Sequence, residues 1–493
     1  MDRSRDPAEL ARVLGDWMSA PGAIYRQLAA ALAAAVSAGE LLAGDRLPSE
    51  RDLARALHVS RATVVAAYDE LRGRGLVESR QGSGSRVARP VDREPAAVAK
   101  RLRRGLSAEA VRRLDGGGSD PGPSVGAGLI SMRHASEPGD PRIASALAEV
   151  VEQDLPRLLD EIGYAPRGLP ALRRALADHL TRGGLPTTPE EVLVTTGTQQ
   201  ALTLVSQLLL ERGATVAVES PSWPGCFDTF SAVGARMVGV EIDEDGPRIE
   251  RLEAVLDAER VSAVFLMPTF HNPTGVLTSA GRRRQLARVS AEREVPLVED
   301  LAYSTSLADD DGALPPPVAA YAPPGARVFT LGSLSKSLWA GLRIGWVRAH
   351  RADIDRLGYL KANADMGTPL LEQAVAARLV PALPELARDR TAAARERLEH
   401  ARALLQADLP DWRWREPAGG TALWIRVPGD DATALAQVAL RHGVEVTPGR
   451  ETDPTGAWDD HLRLPFTFEP DVMAEAVRRL AAAADELRGR SAS

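Results

Sequence analysis

Lysine is rare in this chain, and one lysine stands among residues suited to covalent chemistry. Of the 60 Lys and Arg residues, only Lys100, Lys336 and Lys361 are lysines. Lys336 follows Ser333-Leu-Ser after an apolar, strand-like run, and the Gly-rich stretch 340–346 comes after it. A lysine amine held in a suitable site forms a Schiff base with a carbonyl compound. Lys336 is therefore the first candidate for a reacting group.

Polar side chains follow two other strand-like runs. Asn272-Pro-Thr-Gly comes after the run Val261 to Met267, and Asp300 and Tyr303 come after the run Pro296 to Glu299. Parallel strands place their carboxyl ends at one edge of a sheet, and ligands bind at such edges. We therefore expect Asn272, Asp300 and Tyr303 to lie near Lys336.

A glycine turn provides a candidate phosphate site. The segment Thr195-Thr-Gly-Thr-Gln-Gln leads from a strand-like run through Gly197 into an apolar helix. The free backbone amides at such a helix start, here those of Thr198 and Gln199, bind phosphate oxygens. Alone, a turn of this kind is a weak signal.

Together, these residues match the groups that pyridoxal 5'-phosphate requires of a protein. Lys336 would form the Schiff base, and Asp300 would keep the ring nitrogen protonated so that the ring can accept electrons. With Tyr303 they form the candidate catalytic group. The other cofactor contacts would be Asn272 and Tyr303 to the phenolic oxygen, Ser333, Arg343, Thr198 and Gln199 to the phosphate, and Trp223 stacked on the ring.

Each of these residues also has an ordinary structural explanation when taken alone. An aspartate after a strand is commonly a helix cap, a tryptophan is commonly part of the core, and a lysine is commonly solvated. It is the complete set, in a chain almost without lysine, that favours the cofactor site.

The elements that would position these residues alternate between strands and helices from residue 129 onward, which indicates an α/β domain with a largely parallel sheet. The expected strands are Val192 to Thr195, Thr215 to Val218, Val261 to Met267, Pro296 to Glu299 and Val328 to Leu331. Further on, a strand pair is expected near Ala422 to Val427 and Leu462 to Pro465. The sequence thus predicts a large α/β part, about 165–350, and a smaller α+β part, about 351–485 together with 129–164.

Residues 21–88 have another pattern, that of three helices and a hairpin. An apolar stripe, Ile24, Leu28, Leu32 and Val36, marks the first helix. The run Ser49-Glu50-Arg51-Asp52 has the form of a capping box for the second helix, and Ser60 would cap the third. Glycines 82 and 84 would allow a tight turn in the hairpin.

The start of the third helix is suited to DNA. It follows another helix across a short turn, so its amino end is free to enter a major groove. Arg61 can contact a guanine with two hydrogen bonds, and Ser60 and Thr63 can bind phosphate oxygens. Arg80 and the tip at Gly82 would bring the hairpin to the DNA backbone or minor groove. Residues 22–113 hold 17 Lys and Arg against 10 Asp and Glu in a chain of net charge -7, which suits a polyanionic partner.

The rest of the chain adds limits rather than chemistry. Residues 89–128 lose apolar periodicity and are read as a flexible linker, with 1–20 and 486–493 as mobile ends. Apolar runs are too short for a membrane span, and the start lacks a signal sequence, so we expect a cytoplasmic protein without membrane contact. A single cysteine, Cys226, excludes an intrachain disulfide and a metal site built from several thiolates, and no metal is expected.

The front unit resembles the winged helix-turn-helix of GntR-type bacterial regulators. The resemblance rests on Leu47-Pro-Ser-Glu-Arg-Asp-Leu-Ala, Val59-Ser-Arg-Ala-Thr-Val and Gly75-Leu-Val-Glu-Ser-Arg-Gln-Gly-Ser-Gly. It covers about 65 residues. It implies a double-stranded DNA operator as partner, and DNA contacts at Arg51, Ser60, Arg61, Thr63 and Gly82.

From about residue 130 to 485 the chain resembles fold type I, class I/II aminotransferases. Five motifs appear in order: Tyr164-Ala-Pro-Arg-Gly, Thr196-Gly-Thr-Gln-Gln, His271-Asn-Pro-Thr-Gly, Glu299-Asp-Leu-Ala-Tyr and Ser333-Leu-Ser-Lys. The resemblance implies that Tyr164 reaches the cofactor phosphate of a neighbouring subunit and that Arg463 binds a substrate α-carboxylate. Both imply a homodimer. Behind a GntR-type head, the whole chain resembles a MocR-type regulator.

Three functions remain open at this point. In the first, the protein is a pyridoxal phosphate-dependent transcriptional regulator, in which an amino acid or amine effector exchanges with the Lys336 aldimine and changes the dimer. In the second, it is an active aminotransferase that carries a DNA-binding head. In the third, the α/β part has lost its cofactor and only dimerises the heads, and the retention of Lys336 counts against this.

Overall fold

The computed structural model describes residues 7–14, 17, 23–37, 40–41, 45–73, 76–80, 84–87, 128–133, 135, 138–303, 314–429 and 431–491. They fall into two compact units, a head before residue 104 and a body after it. The expected linker, 89–128, lies almost wholly outside the described residues, as does Gly82.

The described part of the head contains helices and one hairpin. The helices are α1 (Pro7–Leu14), α2 (Ile24–Ser37), α3 (Glu50–Ala56) and α4 (Arg61–Gly73), and the strands are β1 (Val77–Arg80) and β2 (Gly84–Val87). The two strands pair antiparallel, with Val77 opposite Val87 and Arg80 opposite Gly84. The expected order of three helices and a hairpin is confirmed for α2 to β2.

Serine caps determine where α3 and α4 begin. The Ser49 hydroxyl accepts a hydrogen bond from the Asp52 amide (3.2 Å) and donates to the Asp52 carboxylate (2.7 Å). The Ser60 hydroxyl accepts from the Thr63 amide at 3.1 Å. Each cap satisfies one of the amides that a helix start leaves unpaired. Both expected helix starts are therefore confirmed. The capping box is incomplete, because the Asp52 carboxylate accepts from the Ser49 hydroxyl and not from the Ser49 backbone amide.

The head core corrects two expectations. Leu28 and Leu32 of the α2 stripe are fully buried, but Ile24 is 49% exposed because it stands at the first turn, beyond the packed face. The expected mobile end also contains α1, whose Leu10 and Leu14 are buried against the other helices. Leu10 and Leu14 are four residues apart, a spacing typical of an amphipathic helix, and this signal could have predicted α1.

The body is built on an eight-stranded mixed sheet. Its strands are β4 (Val192–Thr195), β5 (Thr215–Ser220), β6 (Arg236–Asp243), β7 (Gly246–Pro247), β8 (Val261–Leu266), β9 (Leu297–Asp300), β10 (Val328–Ser333) and β11 (Gly345–Arg348). Their order is β4-β11-β10-β9-β8-β5-β6-β7. Strands β10, β9, β8, β5 and β6 run parallel, whereas β11 is antiparallel to both β10 and β4. The five expected strands are confirmed, and β6, β7 and β11 are additions.

Helices cover both faces of this sheet. They are α7 (Pro170–Arg182), α8 (Thr198–Leu209), α9 (Pro224–Ala232), α10 (Ile249–Ala258), α11 (Ala280–Glu292), α12 (Arg351–Asp365) and α13 (Leu370–Leu379). Both faces of β5 are buried: Val216 and Val218 pack into one hydrophobic core, and Ala217 packs into another on the opposite face. A strand covered on both faces reads as a continuous apolar run, which is why the sequence revealed these strands.

The small part has its own sheet and core. Strands β12 (Arg413–Trp414), β13 (Ala422–Arg426), β15 (Thr447–Pro448) and β16 (His461–Pro465) form an antiparallel sheet, and β14 (Val444–Glu445) pairs with β3 (Ile130–Ser131). Its other helices are α14 (Leu383–Asp408), α15 (Ala432–Arg441) and α16 (Pro470–Ser491). Helices α5 (Arg142–Gln153) and α6 (Leu155–Leu159) precede the large part.

The carboxyl end also differs from expectation. Helix α16 runs through residues 486–491, which were expected to be mobile. Glu486 accepts hydrogen bonds from Arg441 (2.9 Å) and pairs with His442 (2.7 Å), so side-chain contacts to α15 and the residue after it extend this helix.

Candidate functional site

The glycine turn after β4 lies directly beside Arg343. Gly197 is the N-cap of α8 and has a φ of +118°, a conformation that favours glycine. A Cβ atom at Gly197 would lie 2.9 Å from Nη2 of Arg343. The turn therefore leaves the first amides of α8, those of Thr198 and Gln199, in a concave backbone beside a guanidinium, which is an arrangement suited to a phosphate group.

Ser333, at the end of β10, and Arg343, just before β11, are brought to this turn by strand pairing. Ser333 and Gly345 face each other across β10 and β11, and Gly345 faces Thr195 of β4. Arg343 has a φ of +51°, and its Nη2 donates to the Thr196 carbonyl oxygen. The Ser333 hydroxyl accepts from the Ser335 amide at 3.1 Å.

Asp300 ends β9 in a nearly closed environment. Its side chain is 2% exposed, and its Oδ1 accepts from the Ala302 amide at 2.8 Å. The pKa of Asp300 is raised to about 7, mainly by burial and to a smaller extent by the nearby charge of Glu219, against the opposing effect of the Ala302 hydrogen bond. A carboxyl group in such a place is suited to a cationic partner, because a pyridinium nitrogen would restore its charged form.

Lys336 extends its ammonium group over the ring of Tyr303. The Lys336 ammonium is 5.7 Å from the centre of the Tyr303 ring, and it donates a hydrogen bond to the Ala135 carbonyl oxygen. Tyr303 is 7% exposed. The amine of Lys336 is thus held within the body beside Tyr303, which the sequence placed in the same site, and beside Ala135, which it did not.

Asn272 connects Tyr303 with Arg463. Its Nδ2 lies 3.5 Å from the Tyr303 hydroxyl, and its Oδ1 accepts from Nε of Arg463 at 2.9 Å. Arg463 belongs to β16 of the small part and is 5% exposed, and its Nη1 donates to the Arg133 carbonyl oxygen at 3.0 Å. Burial lowers the pKa of Arg463, but a guanidinium stays charged near neutral pH. A buried cation from the small part therefore reaches the site in the large part.

Trp223 and Gln199 both contact residues of α9. Trp223 is the N-cap of α9, and its indole ring lies 2.2 Å from where a Cβ atom of Gly225 would be. The ring thus packs flat over the backbone of Gly225. The Gln199 side chain donates to Thr229 of α9 at 2.6 Å, so of this residue the backbone amide remains for an anion.

Tyr164 is separate from this group in its own chain. It lies in the loop between α6 and α7 and is 63% exposed. In the head, Arg51, Ser60 and Arg61 are exposed at the starts of α3 and α4, Thr63 bonds to Ser60 through their hydroxyl groups (2.8 Å), and Arg80 ends β1.

Sequence reasoning missed a buried acid beside the site. Glu219 is 1% exposed near the end of β5 and accepts from the Met267 amide at 2.7 Å. Nε2 of His271 lies 3.4 Å from the same carboxylate. An acid within the apolar strand Thr215–Ser220 was the available signal, together with a histidine directly before Asn272. The segment at Arg133 and Ala135 was also missed, because it contributes only carbonyl oxygens.

The part of the chain described above contains neither a metal-binding cluster nor a membrane span. Its histidine, cysteine and acidic side chains form no group of three or more that could hold a metal ion. Its helices include none that combines the length and the apolar character of a membrane span.

Comparisons with known proteins divide the chain at the same place. The family model described as bacterial regulatory proteins, gntR family, matches residues 24–87, and that of aminotransferase class I and II matches residues 158–480. The probable rhizopine catabolism regulatory protein MocR of Rhizobium meliloti is 30% identical over 72% of this chain and 71% of its own length. The chain belongs to the MocR-type subfamily of GntR regulators.

Other relatives of this MocR-type chain cover either both units or the body alone. An uncharacterized HTH-type transcriptional regulator of Bacillus subtilis, YdfD, is 29% identical over 86% of this chain and 89% of its own length. Among solved structures, LysN, the α-aminoadipate aminotransferase of Thermus thermophilus complexed with N-(5'-phosphopyridoxyl)-L-leucine, is 32% identical, with a TM-score of 0.67 over 74% of this chain and 94% of its own.

The residues of the body fit the cofactor that this aminotransferase family uses. The site combines a lysine amine, a buried carboxylate, a tyrosine hydroxyl paired with an amide, and a glycine turn beside an arginine. These are the groups that a pyridine ring, its phenolic oxygen and its phosphate require. The turn also has the space: a side chain at Gly197 would fill the cradle beside Arg343.

Proposed function

We propose that this protein is a pyridoxal phosphate-dependent transcriptional regulator that binds operator DNA through its head and senses an amino acid or amine at Lys336. The observation that supports the proposal is a chain of contacts in which Lys336 lies over the Tyr303 ring and Asn272 links Tyr303 to Arg463. Asp300 is buried at the end of β9, next to the strand that precedes Lys336, and the same chain carries a GntR-type head. An amine for the cofactor, an acid for its ring and a cation for an effector carboxylate are the minimum for such sensing.

The bound cofactor supplies an aldehyde carbon that can be passed from one primary amine to another. Lys336 provides the resident amine. Asp300 would keep a proton on the ring nitrogen, and its burial would strengthen that interaction because the surrounding dielectric is low. Asn272 and Tyr303 would hydrogen-bond the phenolic oxygen, and Trp223 would stack on the ring.

The phosphate group belongs at the turn after β4. This assignment is supported by the space at Gly197 beside the Arg343 guanidinium. The amides of Thr198 and Gln199 and the Ser333 hydroxyl would add hydrogen bonds to the phosphate. We assign these residues to the phosphate because the phosphate is the anionic group of the cofactor, and backbone amides with a guanidinium bind anions.

Arg463 gives the effector a means to change the protein. It reaches from the small part to Asn272 in the large part, so a carboxylate bound to Arg463 would bridge the two parts. In the effector-bound state the Lys336 amine would be free and the carboxylate contact at Arg463 would be present, whereas the free protein would have neither. Such a difference is what a ligand needs to shift a conformational equilibrium.

We further propose that the protein works as a homodimer with shared sites. Leu147 and Val151 of α5 and Ile162 and Tyr164 after α6 are 43%, 50%, 87% and 63% exposed. A surface with this much exposed apolar area favours burial against a second copy. Tyr164 would then reach the cofactor phosphate of the neighbouring subunit.

In the head, the proposed DNA contacts are at the exposed starts of two helices and in the hairpin. Arg61 reads a base in the major groove, Ser60 and Thr63 bind the backbone, and Arg51, Arg80 and Gly82 complete the set. The cytoplasmic location expected from the sequence belongs to this proposal as well.

An active aminotransferase is the second candidate, and a specific observation favours it. Lys336, Asp300 and Arg463 are the groups a transamination half-reaction needs, and the described site retains all three. Steady turnover of an amino acid with a keto acid, at a kcat near the typical ~10 s⁻¹, would establish this activity.

One experiment tests the proposed regulator. Purified protein is titrated with candidate amino acids and amines while the cofactor absorbance and the affinity for its own upstream DNA are recorded together. We expect an effector to change both signals in wild type and neither in Lys336→Ala. A DNA affinity that responds equally in Lys336→Ala would contradict sensing at this residue.

A further inference from the structure

Lys361, the second of the two lysines in the described body, is completely buried in α12. Its side chain is 0% exposed, yet it carries an ammonium group. Nζ lies 3.0 Å and 2.7 Å from the two carboxylate oxygens of Asp365 and 3.0 Å from Oε1 of Gln200. An ammonium has three donors, and these acceptors satisfy all of them.

Gln200 carries this contact to the phosphate turn. Its Oε1 also accepts from the Thr196 amide at 3.0 Å, and its Nε2 donates to Asp365 at 2.7 Å. The amide orientation follows from these partners, because the oxygen faces two donors and the nitrogen faces a carboxylate. The carbonyl oxygen of Thr196 accepts from Arg343. Thr196 is thus held at its amide by Gln200 and at its carbonyl by Arg343.

Packing alone does not explain a lysine at this place. Burial lowers the pKa of Lys361 and would raise that of Asp365, but their mutual hydrogen bond favours both charged forms, and the pKa of Asp365 is lowered overall. The Asp365 side chain is 26% exposed, so the pair is buried only at its lysine end, and an ion pair of this kind contributes little net stability. What it does provide is a fixed geometry, here for the side chain of Gln200.

We propose that Lys361 is a positioning residue for the cofactor phosphate, acting through Gln200 on the turn of residues 196–198. The inference rests on the proposed function, since it assumes pyridoxal phosphate at Lys336. Lys361 itself touches neither the ring nor the reacting carbon. Its effect is therefore confined to the phosphate end of the cofactor.

The test compares pyridoxal phosphate with pyridoxal, which has the same aldehyde and ring but no phosphate. The affinities of both for the full-length protein are measured by absorbance titration after removal of the bound cofactor. In Lys361→Met we expect the affinity for pyridoxal phosphate to fall about tenfold or more, and that for pyridoxal to change by less than about twofold. Gln200→Leu should give the same selective loss, and the double variant should lose less than the two single losses combined.

Arg327→Met is the matched control, because it breaks an ion pair of the same helix at its other end. Arg327 lies 2.7 Å from Asp353 in the first turn of α12. This variant should lower the melting temperature and leave the ratio of the two affinities unchanged. If Lys361→Met does not fold, Gln200→Leu tests the same link, because it leaves Lys361 paired with Asp365.

The outcomes separate this inference from the proposed function. Wild type that binds neither aldehyde would refute the proposed function. Wild type that prefers the phosphorylated form, with an unchanged preference in both Lys361→Met and Gln200→Leu, would overturn the role of Lys361 alone.

Discussion

Burial gives Asp300 its chemical character. Its carboxyl group lies at the end of β9 with 2% exposure, and burial raises its pKa to about 7. The sequence shows that an acid follows a strand, but not how closely the surrounding residues exclude water. The identity of the residue was therefore predictable, whereas its electrostatic state depends on distant parts of the chain such as Glu219.

This shift predicts a pH-dependent stability in the cofactor-free protein. Native Asp300 keeps its proton up to about pH 7, but in the unfolded chain it ionises near pH 3.8, so the folded state loses stability as pH rises through this window. The full loss is about 4 kcal/mol. In Asp300→Asn, which cannot ionise, the free energy of unfolding relative to wild type should increase between pH 5 and pH 8. Denaturant titrations at several pH values measure it, and parallel curves would contradict it.

Arg463 should determine which effectors act. Lysine at this position keeps the charge but loses the planar, two-pronged contact to a carboxylate. In Arg463→Lys we expect the response to an amino acid effector to need about 10-fold or more higher concentration, and the response to the matching amine without a carboxylate to stay unchanged. Titrations of cofactor absorbance give both values. An equal loss for both ligands would place the carboxylate elsewhere.

Among the strands of the large sheet, those with apolar residues on both faces could be predicted from the sequence. The strands β4, β5, β8, β9 and β10 were predicted because each is apolar on both faces. Strand β6 alternates and carries charged ends, and β11 follows a Gly-rich turn, so neither resembles a buried strand. The antiparallel direction of β11 depends on pairing with β4, which is 150 residues earlier and leaves no local signal.

The site was predictable to the same extent. Lys336, Asp300, Asn272 and Arg343 are marked by strand ends and glycines. The contribution of Lys361 could not be seen, because Gln200 and Thr196 meet it only after α8 and α12 pack together. The roles assigned to these residues stay predictions until they are measured.

Helix α4 is the proposed DNA-recognition helix, and its first residue can be tested by substitution. Arg61 is exposed at the first residue of α4 and outside the head core. Arg61→Ala should weaken binding to operator DNA by about 1–3 kcal/mol and leave the melting temperature and cofactor spectrum unchanged. Arg72→Ala, at the opposite end of the same helix, is the control and should bind nearly as wild type. Fluorescence anisotropy measures both, and equal binding by Arg61→Ala would show that the helix is placed wrongly.

At the scale of the whole molecule, the exposed apolar residues of α5 concern assembly. Ala146 and Val150 are buried within the body, whereas the neighbouring Leu147 and Val151 point away from it and are 43% and 50% exposed. We expect this exposed apolar surface to be the contact with a second copy. The sequence did not reveal it, because an apolar pattern does not distinguish the outer face of a helix from its inner face.

A charge on this surface should separate the subunits. Val151→Glu is expected to give monomers in sedimentation velocity and to weaken cofactor binding, because Tyr164 would no longer reach the neighbouring site. Leu440→Glu is the matched control, since Leu440 is similarly exposed (45%) on α15. It should remain a dimer. Dimers of unchanged stability in Val151→Glu would exclude this surface as the interface.

The central claim is that the amine of Lys336 holds pyridoxal phosphate. Borohydride reduction of the purified full-length protein, followed by peptide mass spectrometry, tests this directly, because reduction makes the linkage permanent. We expect a phosphopyridoxyl group on the peptide that contains Lys336 and its absence from Lys336→Ala. Unmodified Lys336 in wild type, or a modification on Lys361 in its place, would contradict it.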